Sequence, residues 1–117
     1  MLTEKMLELI VGTLDEGKAK NIKVIDVKRK TTITDYFVVA SGTSERHVKS
    51  LADQVVEKLK QFRVRPLGIE GEQVGEWVLV DLADVVLHVM LPQTREFYQL
   101  EKLWEPDFVL ESTAVAG

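Results

Sequence analysis

A chain of 117 residues, 45% hydrophobic and 29% charged, is sized for one domain with a real core. Its net charge of −4 argues against non-specific nucleic-acid binding, which depends on Lys and Arg neutralising phosphates, and suits a basic protein partner better. The absence of cysteine excludes disulfides and thiolate zinc sites. No apolar run approaches the roughly 20 residues that span a bilayer, and without a charged-then-apolar leader the expected location is the cytoplasm.

Residues 2–16 predict a helix. Leu2, Met6, Leu9, Ile10, Thr13 and Leu14 fall on one apolar stripe, with Thr3 as cap and Gly17 as stop. Residues 21–28 alternate as a strand, 29–34 are polar and turn-like, and 35–41 predict a second strand rich in aromatic and β-branched residues. The clearest helix runs from Ser44 to Lys60, with Val48, Leu51, Ala52, Val55 and Leu59 on one stripe and Ser44 as N-cap. Pro66 breaks the chain before a short extended piece, 67–70, and Gly71 and Gly75 bracket a loop.

Residues 76–90 read as two strands around a tight turn. A two-residue loop at Leu82-Ala83 pairs Val80 with Val85, Val78 with Leu87 and Trp77 with His88. One face then carries Val78, Val80, Val85, Leu87 and Val89 and belongs to the core. The other carries Trp77, Leu79, Asp81, Asp84, Val86, His88 and Met90, a mixed face suited to partial exposure or a partner. Pro92 opens a last helix to Trp104, with Phe97, Leu100 and Trp104 on one stripe. Residues 105–117 lack periodicity and predict a loose tail, so the domain is expected over 1–104. The element order predicts an α/β or α+β domain with one mixed sheet and helices packed on it.

Three constellations could carry chemistry, and each has a plainer reading. Ser44 and His47 are spaced for a nucleophile and base, but Ser44 is placed as a helix cap and no Gly-x-Ser-x-Gly elbow exists. Gly42 precedes a helix N-terminus, the place for an anion, yet the segment is neither a G-x-G-x-x-G nor a P-loop. Asp81, Asp84 and His88 are too far apart along the hairpin to share an ion. No catalytic, cofactor-binding or metal residue is therefore assigned. Aromatic residues on a mixed face are instead over-represented at protein contacts. The expected partner-binding set is Trp77 beside His88, Tyr98 with Glu101 one helical turn on, and Lys102.

Four blocks occur in one order: DYFVVASGTSERHVKSLAD (35–53), PLGIEGE (66–72), WVLVDLADVVLHVM (77–90) and REFYQLEKLW (95–104). Together they resemble the ribosomal silencing factor family, which includes the plant Iojap relatives, from about Met6 to Trp104. The resemblance implies translation control: binding to large-subunit ribosomal protein fourteen on the intersubunit face, steric exclusion of the small subunit, and repression when nutrients are scarce. It also implies homodimers and a fold similar to the nucleotidyltransferases. In that superfamily a later strand supplies paired acids for magnesium; here it reads Asp81-Leu82-Ala83, without the second acid. The sequence departs from the family where Ala83 replaces a common Gly and where residues 91–94 are more apolar. The alternative is a nucleotide-binding protein or enzyme on the same shell.

Overall fold

The structure is a computed structural model and describes residues 1–103. Helix α1 (Thr3–Glu16) leads into strand β1 (Lys20–Asp26) and strand β2 (Tyr36–Ser41). Helix α2 (Glu45–Lys60), strands β3 (Gly68–Glu70), β4 (Trp77–Asp81) and β5 (Val85–Met90), and helix α3 (Pro92–Tyr98) follow. A 3₁₀ turn covers Leu100–Leu103. Among the described residues the strands form one mixed sheet in the order β1-β2-β5-β4-β3, antiparallel except for the central β2–β5 pair. This is the α+β arrangement expected of the element order.

Alternation within the strands divides the sheet into two unlike faces. Val38, Ala40, Val78, Val80, Val85, Leu87 and Val89 point to one side and are buried against Ile10 and Leu14 of α1 and Val48, Leu51, Val55 and Leu59 of α2. That face is the principal core. The other side holds a smaller cluster of Ile25, Val27, Val39 and Met90, with Phe37, Trp77 and Leu100 packed on it.

Three details depart from expectation. The β4–β5 register is Val80↔Leu87, Val78↔Val89 and Trp77↔Met90, two residues away from the expected pairing. The strands part at Asp81↔Val86, leaving a four-residue connection closed by the Leu82 N–H to the Val85 carbonyl at 2.9 Å. Leu82, expected in the exposed turn, turns its side chain into the core, and Ala83 takes a positive φ of 70°. Leu2 is itself the N-cap of α1 without a side-chain bond, and Thr3, the expected cap, donates to Asp84 Oδ2 at 3.1 Å. The last helix stops at Tyr98, because Gln99 adopts the left-handed conformation with φ 47°. That stop breaks the Phe97–Leu100–Trp104 stripe. Phe97 is 72% exposed instead of buried. Trp104 and the expected tail, 105–117, lie outside the described residues.

Candidate partner-binding site

The turn between β2 and α2 is fully occupied by structural bonds. Ser44 Oγ accepts the His47 N–H at 3.1 Å, as an N-cap should. His47 Nδ1 accepts the Thr43 N–H at 2.8 Å, which leaves Nε2 to donate to the Gly17 carbonyl, also at 2.8 Å. His47 thus ties the end of α1 to the start of α2, and neither of its nitrogens is left to serve as a base. Gly42 has a packing reason: a Cβ there would lie 2.9 Å from both the backbone N and Cγ2 of Val48. Asp81 Oδ1 accepts the Ala83 N–H at 3.0 Å and steadies the β4–β5 turn. No described group of three or more His, Asp or Glu is placed to hold a metal ion. No described helix is long and apolar enough to cross a membrane.

The second face of the sheet is different in kind. A row of rings crosses it from interior to surface. Phe37 on β2 meets His88 on β5 edge to face, with centroids 5.1 Å apart at 76°. His88 meets Trp77 on β4 at 5.9 Å, and the Trp77 Nε1–H donates to His88 Nδ1 at 3.0 Å. Trp77 meets Tyr98 at the end of α3 at 5.1 Å, and Tyr98 meets Phe97 at 4.9 Å. Tyr98 is 57% exposed and Trp77 is half-buried. Edge-to-face and tilted pairs at these spacings add to the area they bury, so the row is a firm base under an exposed aromatic end.

The elements place these rings for simple reasons. Trp77 and His88 sit at alternating positions of adjacent strands, so both point away from the valine face. α3 begins where Pro92 fixes the first helical turn. The Arg95 guanidinium donates to Ser41 Oγ at 3.0 Å and so pins the helix over the end of β2. The αL residue Gln99 then stops the helix with Phe97 and Tyr98 facing outward.

The expected site residues fare unequally. Trp77 and Tyr98 come together as rings in contact. His88, expected among the partner-binding residues, lies beside Trp77 and is only 4% exposed, so it is covered by its neighbours and does not form part of the open surface. The mixed face is more buried than expected throughout β5, where Val86 and Met90 are also buried. Burial pushes the His88 pKa from 6.5 down to about 4. Its Nε2 is buried without a hydrogen-bond partner among the described residues. Lys102 is exposed on the 3₁₀ turn; Glu101 lies on the same turn, after the break at Gln99 and not one turn along a continuous helix, and its side chain lies outside the described residues. Two members of the row, Phe37 and Phe97, were missed. Strict alternation in β2 already sets Phe37 opposite Val38 and Ala40; Phe97 had no local signal, because its exposure follows from the stop at Gln99.

Comparison with known proteins gives the surface its context. The family described as "Ribosomal silencing factor during starvation" matches residues 2–115. The chain is 42% identical over 113 residues to the ribosomal silencing factor RsfS of Chromobacterium violaceum, covering 94% of this chain and 93% of that protein. It is 38% identical over 99 residues to RsfS of Haemophilus influenzae, covering 85% and 97%. A mouse protein named "Mitochondrial assembly of ribosomal large subunit protein 1" is 41% identical over 101 residues, 84% of this chain but 44% of its own length. The crystal structure of a Chromobacterium violaceum protein superposes with a TM-score of 0.87 at 42% identity, covering 93% of both chains. A Bacillus halodurans structure gives 0.79 at 32% identity, covering 87% and 95%. The two bacterial relatives are named as silencing factors, and neither name is that of an enzyme. The chain therefore belongs to the ribosomal silencing factor family.

Proposed function

We propose that this protein silences translation by docking on large-subunit ribosomal protein fourteen at the intersubunit face, where its bulk excludes the small subunit. The observation that carries the reading is the aromatic row ending in the exposed Tyr98 and Phe97 beside the half-buried Trp77. Large aromatic residues that are part apolar and part polar are the usual anchors of protein contacts. Glu70 at the end of β3, and Glu72 and Glu76 in the β3–β4 connection leading to Trp77, are all exposed. Acid groups at the rim of such a surface steer it toward a basic ribosomal protein. Steric exclusion needs a rigid body and a matched patch, and no catalytic group.

The same apolar surface serves, in this reading, for a homodimer that competes with the ribosome, and the work is done in the cytoplasm. The test is co-sedimentation of the purified protein with large subunits, followed by addition of small subunits. Binding to large subunits with a fall in joined ribosomes is the expected result. Binding without any fall in joining sinks the exclusion step, and no binding sinks the reading.

A further inference from the structure

We propose that His88 is a positioning residue, whose Nδ1 holds the Trp77 indole in the orientation on which Tyr98 packs for the ribosomal partner. The proposal rests on the reading of the aromatic surface given above and assigns the group that sets it.

His88 is buried, so any effect it has on a partner must pass through a neighbour. One neighbour is joined to it by a hydrogen bond, the Trp77 Nε1–H at 3.0 Å. Accepting at Nδ1 fixes the neutral tautomer with its proton on Nε2. That Nε2–H finds no partner among the described residues. A buried donor left in this way is unfavourable, and it asks for an explanation. Packing alone does not supply one. Strand register places His88 between Val39 and Leu79, with Phe37 edge-on to its ring. A phenyl ring would suit those apolar contacts and carry no orphan donor. It would, however, offer nothing to the indole N–H.

An indole has one donor and two rotatable side-chain bonds. Trp77 is only half-buried, so its packing does not by itself close off other rotamers. With the acceptor at Nδ1 the ring is held where it meets Tyr98 as a tilted pair, 5.1 Å between centroids at 49°. Without it, the N–H satisfies itself by turning toward water and carries the ring off the sheet. A surface whose anchor is already in place loses less freedom on binding than one that must first be ordered.

The experiment compares His88→Phe and His88→Asn with the parent, all in the full chain. Asn offers a side-chain oxygen near the position of Nδ1; Phe offers ring volume alone. Three readouts are taken: the Trp77 indole N–H resonance (identified by its loss in Trp77→Phe), thermal melting, and affinity for purified large subunits. His88→Phe is expected to melt at or above the parent temperature, to shift the indole resonance, and to bind subunits at least about fivefold more weakly. His88→Asn is expected to return binding to within about threefold of the parent. Two results overturn the proposal: His88→Phe binding like the parent, or His88→Asn losing as much affinity as His88→Phe. Trp77→Ala separates the layers. If it binds like the parent, the surface reading fails and takes the positioning role with it. If it loses affinity while His88→Phe does not, the surface stands and only the positioning role falls.

Discussion

Acidification offers a direct measure of how deeply His88 is built into the sheet. In the unfolded chain its imidazole titrates at the ordinary 6.5, while in the fold burial holds it near 4. Well above pH 6.5 the ring is neutral in both states and contributes no pH dependence. As pH falls below 6.5 the unfolded chain takes up the proton and the folded one does not, so stability is lost down to about pH 4 and then levels off. Integrating the linkage between those two values gives a loss of about 1 kcal/mol at pH 6, about 2 kcal/mol at pH 5, and about 3 kcal/mol once the folded form is also protonated. Carboxylates titrate over the lower part of the same range, so the parent curve alone is ambiguous. Urea unfolding of the parent and His88→Phe at each half pH unit from 8 to 4.5 removes that ambiguity. The variant retains every carboxylate, and the difference between the two isolates the imidazole. The expected difference moves by about 2 kcal/mol in favour of the variant between pH 7.5 and pH 5. A difference that stays flat over this interval would show that the ring is solvated, or is charged in the fold, and the account of its burial would be wrong.

Other outcomes follow from the same geometry. Trp77→Ala and Tyr98→Ala should each weaken binding to large subunits at least about tenfold, since loss of a central anchor typically costs about 2 kcal/mol; melting curves run alongside distinguish a lost contact from a lost fold. Ser44→Ala should lower stability by about 1 kcal/mol through loss of the α2 cap, while subunit affinity stays within a few-fold. Gly71→Ala should destabilise by more than about 2 kcal/mol in urea unfolding, because φ there is +83° and the new Cβ would run into the Trp77 carbonyl.

Periodicity made most of the elements legible. The stripe on α2, the cap at Ser44 and the all-apolar face of β4 and β5 stand where the residue pattern puts them. The β4–β5 register was displaced, yet the faces survived, because a slip of two residues returns each side chain to its own side. The slip itself has a local cause: Leu82 is drawn into the core, which lengthens the connection beyond the two residues expected. The coverage of the second face was not legible. It depends on the parallel pairing of β2 with β5 and on where α3 stops, and no short window contains either fact. His88 shows the limit most plainly. Its neighbours in sequence, Leu87 and Val89, mark a strand, but its burial comes from Phe37 and Trp77, brought in from two other strands.

The parallel β2–β5 pair also bears on how the chain is made. β5 is the middle strand of the sheet and the last to leave the ribosome, so Ser41 waits for Met90 about 50 residues later. At roughly 5 to 20 residues per second, β2 stands with an unpaired edge and bare Val38 and Val39 for on the order of 2 to 10 s. During that interval the nascent chain offers a short, strongly β-forming segment with no partner of its own, the kind of edge that other chains join. Synthesis of this protein therefore passes through a window, closed only when β5 arrives, in which β2 is exposed to pairing with other chains.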